Sequence, residues 1–271
     1  MGAYDSRVRR PAMLDNDSGM TLKPYFKNKS VIIYQGNCID VMWEMADKKW
    51  SVDHTITDPP YDAVAHAATR QVGSRNGVTR KPLDFEVMQE SDRLLASALI
   101  ASMTKRWMLT FCQIESLPFW RVAFERSEDV SYRRSCIWLK PGSKPQLTGD
   151  RPGVGYEAIL AMHRKVKSRW NGGGRSGVFT HVAGRTKVDH MTAKPMSLMY
   201  ELIELFTDPG DVILDPFCGS GTLLRAAQDL GRKAIGIEID PKFCELSKRR
   251  VEAARSRFVD RSNGDGREAL L

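Results

Sequence analysis

Two short stretches of this 271-residue chain carry side chains of the types and spacing that chemistry needs. The first is Asp58-Pro59-Pro60-Tyr61, which follows the β-branched run 52–57. Neither proline has an N–H for a strand ladder, so the chain must turn outward there. The result is a carboxylate on a rigid kink, with an aromatic face beside it for stacking. The second is Asp215-Pro216-Phe217-Cys218-Gly219-Ser220-Gly221-Thr222. Here a strand signal runs into a Gly-x-Gly turn that opens a helix. Without Cβ atoms the turn lets a ligand approach the backbone closely. Glu238, nineteen residues beyond Gly219, ends the next strand signal. An acid at that place can hydrogen-bond both ribose hydroxyls of a nucleoside cofactor. The turn lacks a Walker lysine and a full GxGxxG fingerprint, so ATP and dinucleotides fit it less well.

Alternating strand and helix signals must position these groups. Runs 31–34, 52–57, 107–112, 130–139, 156–162, 212–214 and 234–238 read as strands. Helical patterns cover 39–46, 85–102, 116–125, 222–230 and 241–254. Lys194-Pro195 opens a further helix with Met199, Leu202, Ile203 and Phe206 on one face, and Pro195 suits its first turn. The alternation predicts an α/β fold with a doubly wound, mostly parallel sheet. The polar stretch 62–81 reads as a mobile functional loop, and both chain ends as loosely ordered.

Hydrophobic residues make up 42% and charged residues 27%, which excludes a chain disordered throughout or a fibre. No apolar run approaches the length of a membrane span, and no signal-peptide core opens the chain, so a cytoplasmic protein is expected. The five cysteines (Cys38, Cys112, Cys136, Cys218 and Cys244) form no CxxC pair, which argues for reduced, buried thiols and against a structural metal. The formal net charge is +8, and the segment 131–190 carries all of the surplus. Its basic residues are Arg133, Arg134, Lys140, Lys144, Arg151, Arg164, Lys165, Lys167, Arg169, Arg175, Arg185 and Lys187, interleaved with Trp138, Tyr156, Trp170, Phe179 and a glycine cluster. Such a segment suits a polyanion: basic side chains neutralise phosphates and glycines let a loop follow a groove. A solvated basic face without a partner has the same composition.

Together the two motifs resemble those of the amino-methylating DNA methyltransferases, which move a methyl group from S-adenosylmethionine to adenine N6 or cytosine N4. Asp58 to Tyr61 resembles their catalytic motif, Asp215 to Thr222 their cofactor loop, and Glu238 their ribose acid. The catalytic motif precedes the cofactor loop with the basic segment between, the order of the permuted β group. His190-Met191-Thr192-Ala193-Lys194-Pro195 resembles that group's H-P-T-x-K-P element, with Met191 in place of a proline. Gly36-Asn37-Cys38 resembles its G-D-C turn, with Asn37 where an Asp is usual.

The resemblance implies a Rossmann-like methyltransferase fold, circularly permuted, with an inserted target-recognition region. It divides the chain into a tail at 1–24, a catalytic half at 25–139, a basic target-recognition region at 140–190, a cofactor half at 191–256 and a tail at 257–271. It assigns catalysis to Asp58, Pro59, Pro60 and Tyr61. It assigns S-adenosylmethionine to Asn37, Asp58, His190, Lys194, Pro195, Asp215, Phe217, Cys218, Gly219, Ser220, Gly221, Thr222 and Glu238, and DNA to the twelve basic residues above. It further implies double-stranded DNA as partner, a homodimer, and either a solitary enzyme or one paired with a cognate restriction enzyme. Asp at the first motif position favours adenine over cytosine. Protein-glutamine and RNA methyltransferases usually carry Asn there and place the cofactor loop first. A catalytically silent DNA-binding regulator on the same fold is the reading from another class.

Overall fold

A computed structural model describes residues 22–60, 88–143, 145–147, 149–183 and 194–253. In chain order its elements are β1 (Phe26–Lys27), β2 (Val31–Gln35), α1 (Cys38–Asp47), β3 (His54–Thr57), α2 (Glu90–Met103), β4 (Trp107–Cys112) and α3 (Leu117–Glu125). They continue with β5 (Val130–Leu139), β6 (Tyr156–Arg164), β7 (Val178–Thr180), α4 (Met196–Phe206), β8 (Val212–Asp215), α5 (Thr222–Asp229), β9 (Lys233–Glu238) and α6 (Pro241–Glu252). The strands join one sheet in the order β1-β2-β9-β8-β3-β4-β6-β5-β7. The pairs β1/β2, β4/β6 and β5/β6 are antiparallel and the others parallel.

The sheet is buried on both faces, and side-chain alternation sorts the core into two clusters. From β4, Trp107, Leu109 and Phe111 join Leu198 and Leu202 of α4, Leu224 of α5 and Val251 of α6. Met108 and Cys112, on the opposite face, join Val41 of α1, Leu99 of α2 and Phe124 of α3. Three helices therefore cover each face, as the alternation of strand and helix signals predicts. All five cysteines are free thiols, four of them buried. Among the described residues no helix is long and apolar enough to cross a membrane.

Chain direction diverges between β3 and β8. From β3 the chain steps through α2 to β4 on one side; from β8 it steps through α5 to β9 on the other. Strand ends at such a switch point open a crevice, where α/β sheets bind ligands. Both motifs sit at this edge: Asp58 leaves β3, and Asp215 ends β8.

Two short strands lack a readable pattern, β1 and β7, having two and three residues respectively. Pro195 stands at the N-cap of α4 rather than in its first turn. Within 140–190, β6 and β7 are strands of the main sheet, and β6 is almost entirely buried. The expected loop at 62–81, both expected tails up to 21 and from 254, and the helix start at 85–87 lie outside the described residues.

Candidate active site

Asp58 follows a strand whose four residues, His54–Thr57, are all buried, so the Pro59-Pro60 kink emerges from a fixed base. Thr57 donates from Oγ1 to Asp215 Oδ1 at 2.8 Å, tying the ends of β3 and β8 together. Asp215 also accepts from the Phe217 N–H at 3.2 Å, which shapes the turn. Burial pushes the Asp215 carboxyl up to about 7, with the charges of Asp58 and Glu238 adding to it against those hydrogen bonds.

The Asp58 carboxylate is one end of a chain of charges. Lys194 Nζ lies 2.5 Å from Asp58 Oδ2 and 2.9 Å from Glu157 Oε1, and Lys140 Nζ lies 2.7 Å from Glu157 Oε2. Lys194 is 8% exposed, Glu157 5% and Asp58 33%, so of these three the catalytic-motif end is the one that opens to solvent. The Lys194 ammonium also stands 4.9 Å from the Phe111 ring centre and 5.9 Å from that of Trp138. Burial pushes the Asp58 carboxyl above its ordinary value, with Lys194 opposing and Glu157 reinforcing. Burial acts the same way on Glu157, yet the two lysines hold it below the usual carboxylate range.

On the other side of the crevice Gly219 donates to Glu238 Oε2 at 2.9 Å, and Asp240 N–H donates to Oε1 at the same distance. Gly219 has φ +49°, and a Cβ there would meet nothing within 4 Å, so this backbone presents an open face. Gly221 has φ +75°, and a Cβ there would collide with Ser247. Arg250 on α6 donates to Ser220 Oγ and Thr222 Oγ1 at 2.7 and 2.6 Å, bracing the loop. Asn37 caps α1, accepting from Ile39 N–H at 2.8 Å, and Gly36 N–H reaches the Glu238 carbonyl. Cys218 is buried and its thiol pushed far up by that burial, which leaves it a packing residue without nucleophilic character. An open glycine face, a carboxylate held by backbone N–H groups at the next strand end and a second carboxylate across the crevice fit a nucleoside-bearing cofactor beside a polar reactant.

The structure therefore brings together Asp58, Lys194, Asp215, Gly219 and Glu238 at one edge. Tyr61, Lys144, Arg185, Lys187 and His190 lie outside the described residues. The remaining basic residues do not form one patch. Lys140 belongs to the charge chain. Arg151 is exposed in the loop between β5 and β6, at the crevice edge, beside Asp150. Because β6 runs antiparallel to β4, its end lies at the opposite edge of the sheet, and there Arg164, Lys165, Lys167 and Arg169 stand. Arg164 pairs with Asp129 and Arg169 with Asp208, while Arg175 pairs with Glu201. Arg133 and Arg134 are exposed within β5. A count of charges along the chain cannot separate the two sheet edges. Sequence reasoning missed Glu157, whose signal is an acid at the start of a mostly apolar buried strand, and missed Arg250 and Ser247, which reach the loop 215–222 from α6.

A family model described as DNA methylase, for N6 and N4 methylation, matches residues 52–249. The chain is 29% identical to the Type II methyltransferase M2.MboI of Moraxella bovis, over 85% of this chain and 92% of that protein. It is 32% identical to the Type II methyltransferase M.XycI of Xanthomonas campestris pv. cyanopsidis, where the match spans 52% of this chain and about half, 51%, of that enzyme. Among solved structures, the M1.HpyAVI complex with S-adenosylmethionine superposes with a TM-score of 0.62 at 24% identity, over 81% of this chain and 99% of that one. The cytosine-N4-specific PvuII DNA methyltransferase gives 0.61 at 14% identity, over 90% and 96%. The family model spans both motifs and most of the sheet, and the chain belongs to the N6/N4 DNA methylase family.

Proposed function

We propose that this protein transfers a methyl group from S-adenosylmethionine to the N6 of a flipped-out adenine in double-stranded DNA. The observation that carries this reading is that Asp58, at the exit of β3, and the Gly219–Glu238 turn, at the ends of β8 and β9, stand at one sheet edge, with β3 tied to β8 through Thr57 and Asp215. S-adenosylmethionine supplies an electrophilic methyl on a sulfonium. An exocyclic amine is a weak nucleophile, because its lone pair is delocalised into the ring. Asp58 and the Pro59 carbonyl accept hydrogen bonds from the NH₂ group and draw that lone pair toward the methyl. The carboxylate also stabilises the positive charge that builds on nitrogen during attack. Pro59 and Pro60 hold the turn rigid, and Tyr61 offers a face to the base. A base stacked in a duplex cannot reach this crevice, so it must be extruded. Since Asp58 acts ionised and burial raises its pKa, the acid limb of kcat should lie above that of an ordinary carboxylate.

Glu238 seats the ribose. Glu238→Ala should weaken S-adenosylmethionine binding roughly 10- to 100-fold, because two charge-assisted hydrogen bonds to the hydroxyls disappear. Titration calorimetry reads this directly; unchanged affinity would remove Glu238 from the cofactor site.

Adenine is favoured by Asp at the first motif position. Cytosine N4 is the second reading, supported by the fold shared with the cytosine-N4-specific PvuII enzyme. Long-read sequencing of DNA from cells expressing the chain reports modified base and recognition sequence together.

DNA phosphates belong on the crevice edge. Charge reversal of Arg151 should lower the slope of log K against log salt by about one, the share of a single neutralised phosphate. Reversal of Lys165, at the far edge, should leave the slope unchanged. Equal effects of the two reversals would contradict this placement. A homodimer, as the β-group resemblance implies, is tested by gel filtration with light scattering.

A further inference from the structure

Two carboxylates share one buried ammonium at the catalytic edge. Lys194 Nζ bridges Asp58 and Glu157, and Lys140 closes the outer end on Glu157. The quartet holds two acids and two lysines, so it is neutral as a unit. Of its two acids Asp58 is the one open to solvent, at 33%, and it is the group that faces an incoming base. Lys194 already occupies Asp58 Oδ2, and an isolated Lys194–Asp58 pair would also neutralise the carboxylate and weaken its other oxygen as an acceptor.

We propose that Glu157 is a positioning residue for methyl transfer: by anchoring Lys194 on its own carboxylate, it limits how far Lys194 neutralises Asp58 and keeps Asp58 a strong acceptor for the target amine. This rests on the methyltransferase reading above. Glu157 sits on β6, a strand packed between β4 and β5, so its carboxylate is a fixed point. The Phe111 and Trp138 rings flank the ammonium, their centres 4.9 and 5.9 Å from it. The groups that face Asp58 are Lys194 ahead of α4, Glu157 from β6, Lys140 at the end of β5, and Asp215 of β8 through Thr57. Glu157 and Asp215 add negative charge, and the lysines oppose it. Removing the Glu157 charge leaves both lysines acting on Asp58 alone. Its carboxylate then becomes less basic and a poorer acceptor for the amine protons.

The test is Glu157→Gln, which keeps the shape and hydrogen-bonding oxygen, alongside Lys140→Met, which removes the outer lysine. Glu157→Gln should lower kcat about tenfold, hold KM for DNA and Kd for S-adenosylmethionine within about threefold, and move the acid limb of kcat to lower pH. Lys140→Met should move that limb to higher pH, a sign that loss of structure alone would not produce. The same shifts should appear in the ¹³C carboxylate titration of Asp58, identified by its absence in Asp58→Asn. Unchanged kcat in Glu157→Gln, or an Asp58 titration that does not move, overturns the inference. A wild-type chain that methylates no DNA would sink the methyltransferase reading instead, and the carboxylate titration would still decide whether Glu157 sets the state of Asp58.

Discussion

Asp58→Ala is expected to lower methyl transfer to DNA on the order of 10³-fold, while S-adenosylmethionine binding stays within a few-fold of wild type. In the proposed mechanism the variant removes the acceptor that draws the amine lone pair forward and the charge that stabilises the developing cation. It leaves the loop from Asp215 to Thr222 and its partner Glu238 intact, since those are tied by Gly219, Phe217 and Arg250. The fold should survive as well. Lys194 keeps its ion pair with Glu157 at 2.9 Å, so the substitution does not strand a buried cation. Single-turnover transfer with tritiated cofactor measures the first effect and calorimetry the second. Loss of both together would mean that Asp58 shapes the cofactor site rather than the reaction.

Gly221→Ala should be the most damaging single methyl in the loop 215–222. Gly221 has φ +75°, and a Cβ there would lie 2.1 Å from Ser247 Oγ and 2.9 Å from Ser247 Cα. One flexible side chain cannot absorb that overlap, because the Cα is backbone of α6. Left-handed strain costs about 1–2 kcal/mol, and forced overpacking about 1–3 kcal/mol more. Together these correspond to a fall in Tm of roughly 5–15 °C for a domain of this size. Displacing α6 would also pull Arg250 from Ser220 and Thr222, so cofactor affinity should fall with stability. Gly219→Ala is the control. Its backbone is also left-handed, at φ +49°, but its Cβ would meet nothing within 4 Å. It should cost only the strain and act mainly on the ligand face above it. A Gly221→Ala protein that melts like Gly219→Ala would show that the approach of α6 to this loop is not the constraint described.

Much of this site is legible in the chain because its key signals are local. Proline after Asp58 marks a strand exit, two glycines mark the turn, and Glu238 sits at a fixed distance beyond. Seven of the nine sheet strands announce themselves through β-branched and apolar runs, and β1 and β7 are too short to do so. Glu157 is not legible in this way. Its meaning comes from Lys194 and Lys140, which reach it across separate strands and loops. Nor does charge order along the chain say which sheet edge a residue occupies. Arg151 and Lys165 belong to the same basic segment, yet β6 runs between them and delivers them to opposite ends of the sheet.

In the proposed reaction Asp58 grips the amine of an extruded base beside S-adenosylmethionine. The most direct test is mass spectrometry of nucleosides from duplex DNA incubated with deuteriomethyl-labelled S-adenosylmethionine and either the wild-type protein or Asp58→Ala. Labelled N6-methyldeoxyadenosine from the wild type alone is the predicted result. Cofactor bound by both proteins, with no labelled base from either or with equal label from each, would contradict it.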